Sequence, residues 1–152
     1  MAISDFHASH IRRVRVTFTV SAPELDPTEV TRRMGLTPSQ SNRRGEERRH
    51  PRSGATLEPY LVGCWTVSST PAIDSKDVND HFRWLLDRLL PGQAVILPLA
   101  TEGETYFDVL WESTYLYAGT GPLLDAECLA GVAALNAGMG FDIYQVDETS
   151  TE

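Results

Sequence analysis

"VRVTFTVSAPELDPTEVTRRMGLTP", residues Val14–Pro38, encodes a strand followed by a helix with both ends marked. In its first seven residues Val14, Val16, Phe18 and Val20 face one way, and Arg15, Thr17 and Thr19 the other. Period-two alternation of β-branched residues is the pattern of a strand buried on one face. The helix that follows opens at Asp26, whose carboxylate can accept from backbone N–H groups that have no intrahelical partner. Pro27 suits the first helical position, Glu29 stands in capping-box register, and Leu25 can staple onto Val30. Gly35 supplies a left-handed residue past the last turn, and Pro38 prevents continuation.

Working outward, "GCWTVSS" gives a short strand around Cys64–Ser68, and a second helix is expected over about 77–90. There Val78, Phe82, Leu85, Leu86 and Leu89 recur with helical period, and Pro91-Gly92 ends the run. "QAVILPLA", residues 93–100, reads as a buried strand with a proline at an edge or bulge. "TYFDVLWES" alternates again, with Phe107, Val109 and Trp111 on one face and Tyr106, Asp108 and Leu110 on the other. The short turn between these two segments makes them an antiparallel pair. "YLYAGTG" reads as a linker or short strand. A third helix starts at Pro122 and carries Leu124, Cys128, Val132 and Leu135 as its stripe, and "FDIYQV", residues 141–146, is the last strand.

The expected fold is therefore α+β: a single mixed, mostly antiparallel sheet of five to six strands, with three helices packed mainly on one face. A ferredoxin-like architecture is the nearest relative. At 152 residues, 41% of them hydrophobic, the chain is expected to form a single domain over 1–152. Residues 1–12 are expected to be a flexible N-terminal segment, 39–60 a long basic loop, and 147–152 an acidic tail.

Charge is unevenly placed. The net charge is −8, but residues 1–52 hold ten Arg and six Asp or Glu, and residues 53–152 hold three basic and fifteen acidic residues. Within the basic half, "PSQSNRRGEERRHPRSG", residues 38–54, concentrates Arg43, Arg44, Arg48, Arg49, His50 and Arg52. No leader-like apolar run precedes the first strand, and no apolar run approaches the ~18 residues of a membrane span. A cytoplasmic protein without membrane contact is expected.

The capped helix, the "MGLTP" turn, the basic-glycine pair Arg44-Gly45 and the tryptophan strand "CWTVSS" together resemble a bacterial domain-of-unknown-function family, DUF4279. Met34 stands where leucine is more usual in that turn. The resemblance covers nearly the whole chain and implies an α+β fold. It brings no established chemistry and no catalytic residues.

The residues themselves offer little chemistry. His7 and His10 lie in the N-terminal segment, and His81 falls on the expected outward side of the second helix. Cys64 and Cys128 are far apart within apolar runs and read as small buried hydrophobes. No zinc-ligand spacing is present. "GTGP", residues 119–122, lacks the lysine of a P-loop and the third glycine of a dinucleotide fingerprint, so it reads as a turn. No catalytic residue, metal site or cofactor is expected.

Three uses of the arginine run are open. It can bind nucleic acid through phosphate, although the acidic remainder would repel a polyanion and no interleaved aromatics offer stacking. It can also pair with the protein's own carboxylates. The third use is recognition of a protein partner. A non-catalytic protein-binding module, of the kind represented by immunity proteins that neutralise bacterial toxins, is the expected function. A small-ligand-binding or enzymatic domain is the alternative. The candidate contact residues are Arg43, Arg44, Arg48, Arg49, Asp74, Asp77, Asp80, Glu102 and Glu104. The acidic segments 74–80, 102–108 and 125–127 are expected to form the contact surface.

Overall fold

The computed structural model describes residues 8–116 and 121–149. His7, Gly119, most of the "YLYAGTG" linker and the last three residues of the acidic tail lie outside the described residues. Strand β1 spans Ile11–Ala22, and the capped helix α1 spans Pro27–Met34. The Asp26 side chain accepts from the backbone N–H of Thr28 and Glu29, and Gly35 closes the helix at φ 62°. Glu29 does not complete a capping box; its carboxylate is bidentate on Arg32, at 2.6 and 2.9 Å.

Three short strands follow: β2 (Gln40–Asn42), β3 (Arg48–Arg49) and β4 (Thr56–Leu57). Then come β5 (Gly63–Ser68), α2 (Val78–Leu89), a single 3₁₀ turn over Leu90–Gly92, and α3 (Gln93–Glu102). The chain ends with β6 (Glu104–Ser113), α4 (Ala126–Ala134) and β7 (Gly138–Gln145). Five strands form one sheet in the order β2-β5-β1-β6-β7. Its first three pairings are antiparallel, and β7 alone joins parallel, against β6.

The alternation of Val14–Val20 and Phe107–Trp111 puts one set of side chains into the core. Phe18, Trp65 and Phe107 are fully buried. The rings of Phe18 and Phe107 lie 5.0 Å apart, and Phe82 of α2 adds a third ring 5.3 Å from Phe107. Helices α1, α2 and α3 pack on this face of the sheet, and α4 packs on α2. Among the described residues no helix covers the other face, which carries Arg15, Thr17, Thr66, Tyr106 and Asp108. The α+β class, the mixed and mostly antiparallel sheet and the one-sided helix layer are as expected.

Three expectations are corrected. Residues 93–100 are helical, so the antiparallel partner of β6 is β1 and no strand comes from 93–100. The chain leaves α2 through the 3₁₀ turn without unwinding, and Ile96 points into the core while Pro98 sits within the helix. A short apolar run has no clear period, so length and continuity with α2 decide for helix. The segment 39–60 is not a featureless loop: it holds β2, which extends the main sheet, and a small β3–β4 arm. His81, expected on the surface, is fully buried.

Gly103 explains how α3 turns into β6. A side chain there would begin 1.9 Å from the Ser21 carbonyl oxygen, so only glycine lets the helix end lie against β1.

Candidate functional site

The arm that carries the arginine run is built locally. Gly45 N–H donates to the Tyr60 carbonyl and Tyr60 N–H to the Glu46 carbonyl, which closes its base. Arg48 and Arg49 pair with Leu57 and Thr56 across β3 and β4. At the tip, His50 Nδ1 accepts from the backbone N–H of Arg52 and Ser53, at 3.3 and 3.1 Å. That role needs a lone pair on Nδ1 and so fixes the ring's tautomer. The arm is exposed along almost its whole length.

Its arginines are largely engaged. Arg43 pairs with Asp26 at 2.7 Å and donates to Thr28 Oγ1 at 3.0 Å. Arg44 pairs with Glu24 at 2.8 Å and Arg49 with Glu47 at 2.6 Å. Arg48 lies over the Tyr60 ring, 5.1 Å from its centroid. All these carboxylates belong to the basic half of the chain, so the acidic half keeps its excess.

The acidic candidates fall into two groups at opposite ends of the sheet. At one end Asp77 caps α2, and Asp80 accepts from Ser75 Oγ at 2.6 Å. Asp74 is exposed in the turn just before them. Asn79 ties this end to α4, donating to the Leu123 carbonyl and accepting from Asp125 N–H, both at 2.9 Å. Arg83 bridges Asp80 and Asp125. Partial desolvation pushes the Arg83 guanidinium down, but Asp125 and its acidic neighbours outweigh this and hold its pKa above the usual value.

At the other end, Glu102 shares a small cleft with Glu24, Glu29 and Arg33, and Glu104 opens β6. The acidic segments 74–80 and 125–127 thus meet, while 102–108 stands apart, so the expected single acidic surface is two. Glu104 borders a trough of about 600 Å³ over the starts of β6 and β7, where Gly138 and Gly140 leave the floor bare. Asp108 lines it, and its pKa is raised by burial and by a hydrogen-bonded Asp142, against the pull of Arg15.

His81 and Ser69 form a buried pair that sequence reasoning missed. Ser69 Oγ lies 2.7 Å from His81 Nδ1, and His81 Nε2 lies 2.8 Å from the Ser75 carbonyl. A carbonyl only accepts, so Nε2 donates and Nδ1 receives the serine proton. Ser69 Oγ also accepts from Val16 N–H at 3.0 Å. Both side chains are fully buried, so the pair ties the 69–77 turn to β1 and offers no substrate a path to the hydroxyl. His10 is also anchored, with Nδ1 3.0 Å from Thr114 Oγ1. Among the described residues no three His, Cys, Asp or Glu side chains converge to hold a metal.

The segment that carried the family resemblance proves to be one connected clamp. Asp26 caps α1 and pairs with Arg43, and Trp65 Nε1 of β5 donates to Thr31 Oγ1 of α1 at 3.0 Å. Gly45, at φ 82°, turns the chain into the arm. The model of the family described as a domain of unknown function, DUF4279, matches residues 12–146. The chain belongs to this family. No curated protein and no solved structure matches it. In this DUF4279 member the matched region takes in α1 to α4 and, but for Ile11, the strands of the main sheet.

Strand β7 of the DUF4279 chain is one of the two edges of the main sheet, the other being β2. It is paired on one side only, and Phe141, Asp142, Ile143, Tyr144 and Gln145 are all exposed. Phe141, Ile143 and Tyr144 expose 47, 45 and 52% of their surface. The register places Phe141 beside Val109 and Ile143 beside Trp111. Sequence alternation marks this strand but does not reveal that it lies at an edge with α4 leaving its second half uncovered.

Proposed function

We propose that the protein is a non-catalytic binding module that adds a basic strand of a partner protein to the free edge of β7. The observation that carries this reading is the run of five exposed residues on an edge strand. Three of them are large and apolar, and proline, lysine or a bulge, which natural edges use to block pairing, is absent from the run. Strand addition gives affinity through main-chain hydrogen bonds and selectivity through alternate side chains. Charge selects the occupant. Asp142 lies on the edge, and Asp147 and Glu148 follow it, so a second copy of this chain would bring like charges together while a basic strand would be attracted.

Neutralisation of a basic bacterial toxin is the specific role that fits such a module best. The support is likeness of class: a small acidic α+β domain whose Ser69–His81 pair is buried. The arginine arm supports a polyanion less well, because Asp26, Glu24 and Glu47 already engage three of its arginines.

The test is sedimentation of the purified chain, followed by capture of its partner with two variants. A monomer is expected at tens of micromolar. Capture should be lost with the double change Phe141→Lys and Ile143→Lys and kept with Arg48→Ala and Arg49→Ala. A dimer broken by the β7 change, or a partner lost only with the arm change, would overturn the proposal.

A further inference from the structure

The trough over Gly138 and Gly140 opens beside the β7 edge. Register places Tyr106 beside Gly138 and Asp108 beside Gly140, and Asp142 follows on the same face of the sheet. Glycine gives the floor no side chain, so Glu104, Tyr106 and Asp108 stand around a bare stretch of backbone. Its volume of about 600 Å³ falls within the ~300–1,000 Å³ range of small-molecule sites.

The Asp108 carboxylate leans across this floor. A side chain at Gly140 would begin 3.1 Å from Asp108 Oδ1, so the glycine leaves that oxygen uncovered on the side of the free edge. Burial raises the Asp108 pKa, and the hydrogen-bonded Asp142 raises it further. Two carboxylates in such contact repel unless one is protonated, and a cation relieves them both. Arg15 attracts Asp108 from β1. Among the described residues, however, no arginine or lysine makes an ion pair with Glu104, Asp108 or Asp142.

We infer that this trough is the side-chain subsite of the β7 edge and takes an arginine of the added strand. The inference rests on the β7 reading for how that arginine is delivered. A strand added to β7 places the side chain opposite Gly140 on this face, about 10 Å, or two strand spacings, from the Asp108 backbone. An arginine crosses that gap because nothing stands on the floor. Its stem covers the glycines, its plane lies on Tyr106, and its fork meets the carboxylate oxygens. Lysine brings a point charge without the plane. A neutral aromatic would cover the floor and leave Asp108 and Asp142 repelling.

NMR of the isotope-labelled full chain, read at the amides of Tyr106, Gly138 and Gly140, tests this with two probes. They are N-acetylarginine methylamide and its neutral isostere, N-acetylcitrulline methylamide. The arginine probe is expected to bind at millimolar concentration, about fivefold tighter than the citrulline probe or better. Asp108→Asn should weaken it about fivefold, the upper size of one exposed ion pair. Gly140→Val puts a strand-compatible side chain over the floor and should abolish binding. If one variant does not fold, the other and the citrulline comparison decide. No shift at these amides, equal binding of both probes, or arginine binding unchanged in a folded variant would overturn the assignment. Neither probe carries a strand, so the two readings fail separately. Partner capture lost with the Phe141 and Ile143 changes, but without arginine binding, removes the subsite and leaves the edge. Arginine binding with capture indifferent to those changes removes the edge and leaves the arginine site.

Discussion

At the residue scale, the two cysteines share a chemistry but not an environment. Burial pushes the Cys128 thiol up to about 12, with Asp125 adding to the effect. Cys64 is partly exposed on the uncovered sheet face, and burial raises its pKa as well. Thiolate, not thiol, reacts with disulfide reagents. Native protein titrated with such a reagent at pH 8 should therefore lose one thiol slowly, Cys64, and the second only on unfolding. Rapid reaction of both would mean that the Cys128 packing is wrong.

Asp26 and Asp108 predict opposite pH responses. Partial desolvation favours the protonated form of Asp26, but the Thr28 and Glu29 N–H groups and Arg43 outweigh it and lower its pKa below the ordinary 3.8. Its contribution to stability is thus present above pH 3.8 and lost as pH falls through the lowered value. Asp26→Asn keeps an acceptor for the cap but loses the charge on Arg43, so it should melt below wild type at pH 7 and match it at strongly acid pH. Asp108 has a raised pKa, so its favourable share is present below 3.8 and lost as pH rises through the raised value. Asp108→Asn removes the repulsion with Asp142. It should stabilise the protein by about 0.5 kcal/mol at neutral pH, the scale of one like-charge cross-strand contact, and the gain should disappear in acid. Thermal melts across pH measure both.

At the scale of elements, what the sequence reveals depends on whether a local rule or a tertiary contact decides the structure. The cap at Asp26, the left-handed Gly35 and the alternation of β1 and β6 are set by neighbouring residues, and each is found where its pattern places it. Helix α3 was not legible because "QAVILPLA" has no period, and its state is settled by Ile96 entering the core and by the run-on from α2. His81 was misplaced because its burial depends on Ser69 and Ser75 in a turn whose shape no periodicity encodes. Gly103→Ala tests the α3–β6 junction. The methyl would begin 1.9 Å from the Ser21 oxygen, against rigid backbone, and should cost about 2–3 kcal/mol in denaturant unfolding. A neutral result would show that α3 does not end against β1. The β3–β4 arm is expected to be expendable: replacing residues 46–59 with a short glycine-rich turn should leave the unfolding midpoint of the body nearly unchanged, because β3 and β4 pair only with each other.

For the whole molecule, the arrangement of strands separates two kinds of surface. The arginine arm follows β2 at one edge of the sheet, and β7 with Asp142 and the acids after it forms the other edge. Adjacent strands lie about 4.8 Å apart, so roughly 19 Å of sheet separates these edges. Charge asymmetry is plain in the sequence. That β7 forms an edge is not, because it depends on β7 pairing in parallel with β6 through the α4 crossover. The central claim is that this edge receives a basic strand. Hydrogen–deuterium exchange of the free chain and of its complex with the captured partner measures it most directly. Among residues 141–145 the alternate amides that do not bond to β6 should exchange quickly in the free protein and become strongly protected in the complex, with the arm unchanged. Protection confined to the arm or to the α2–α4 end, with β7 exchanging as before, would contradict the claim.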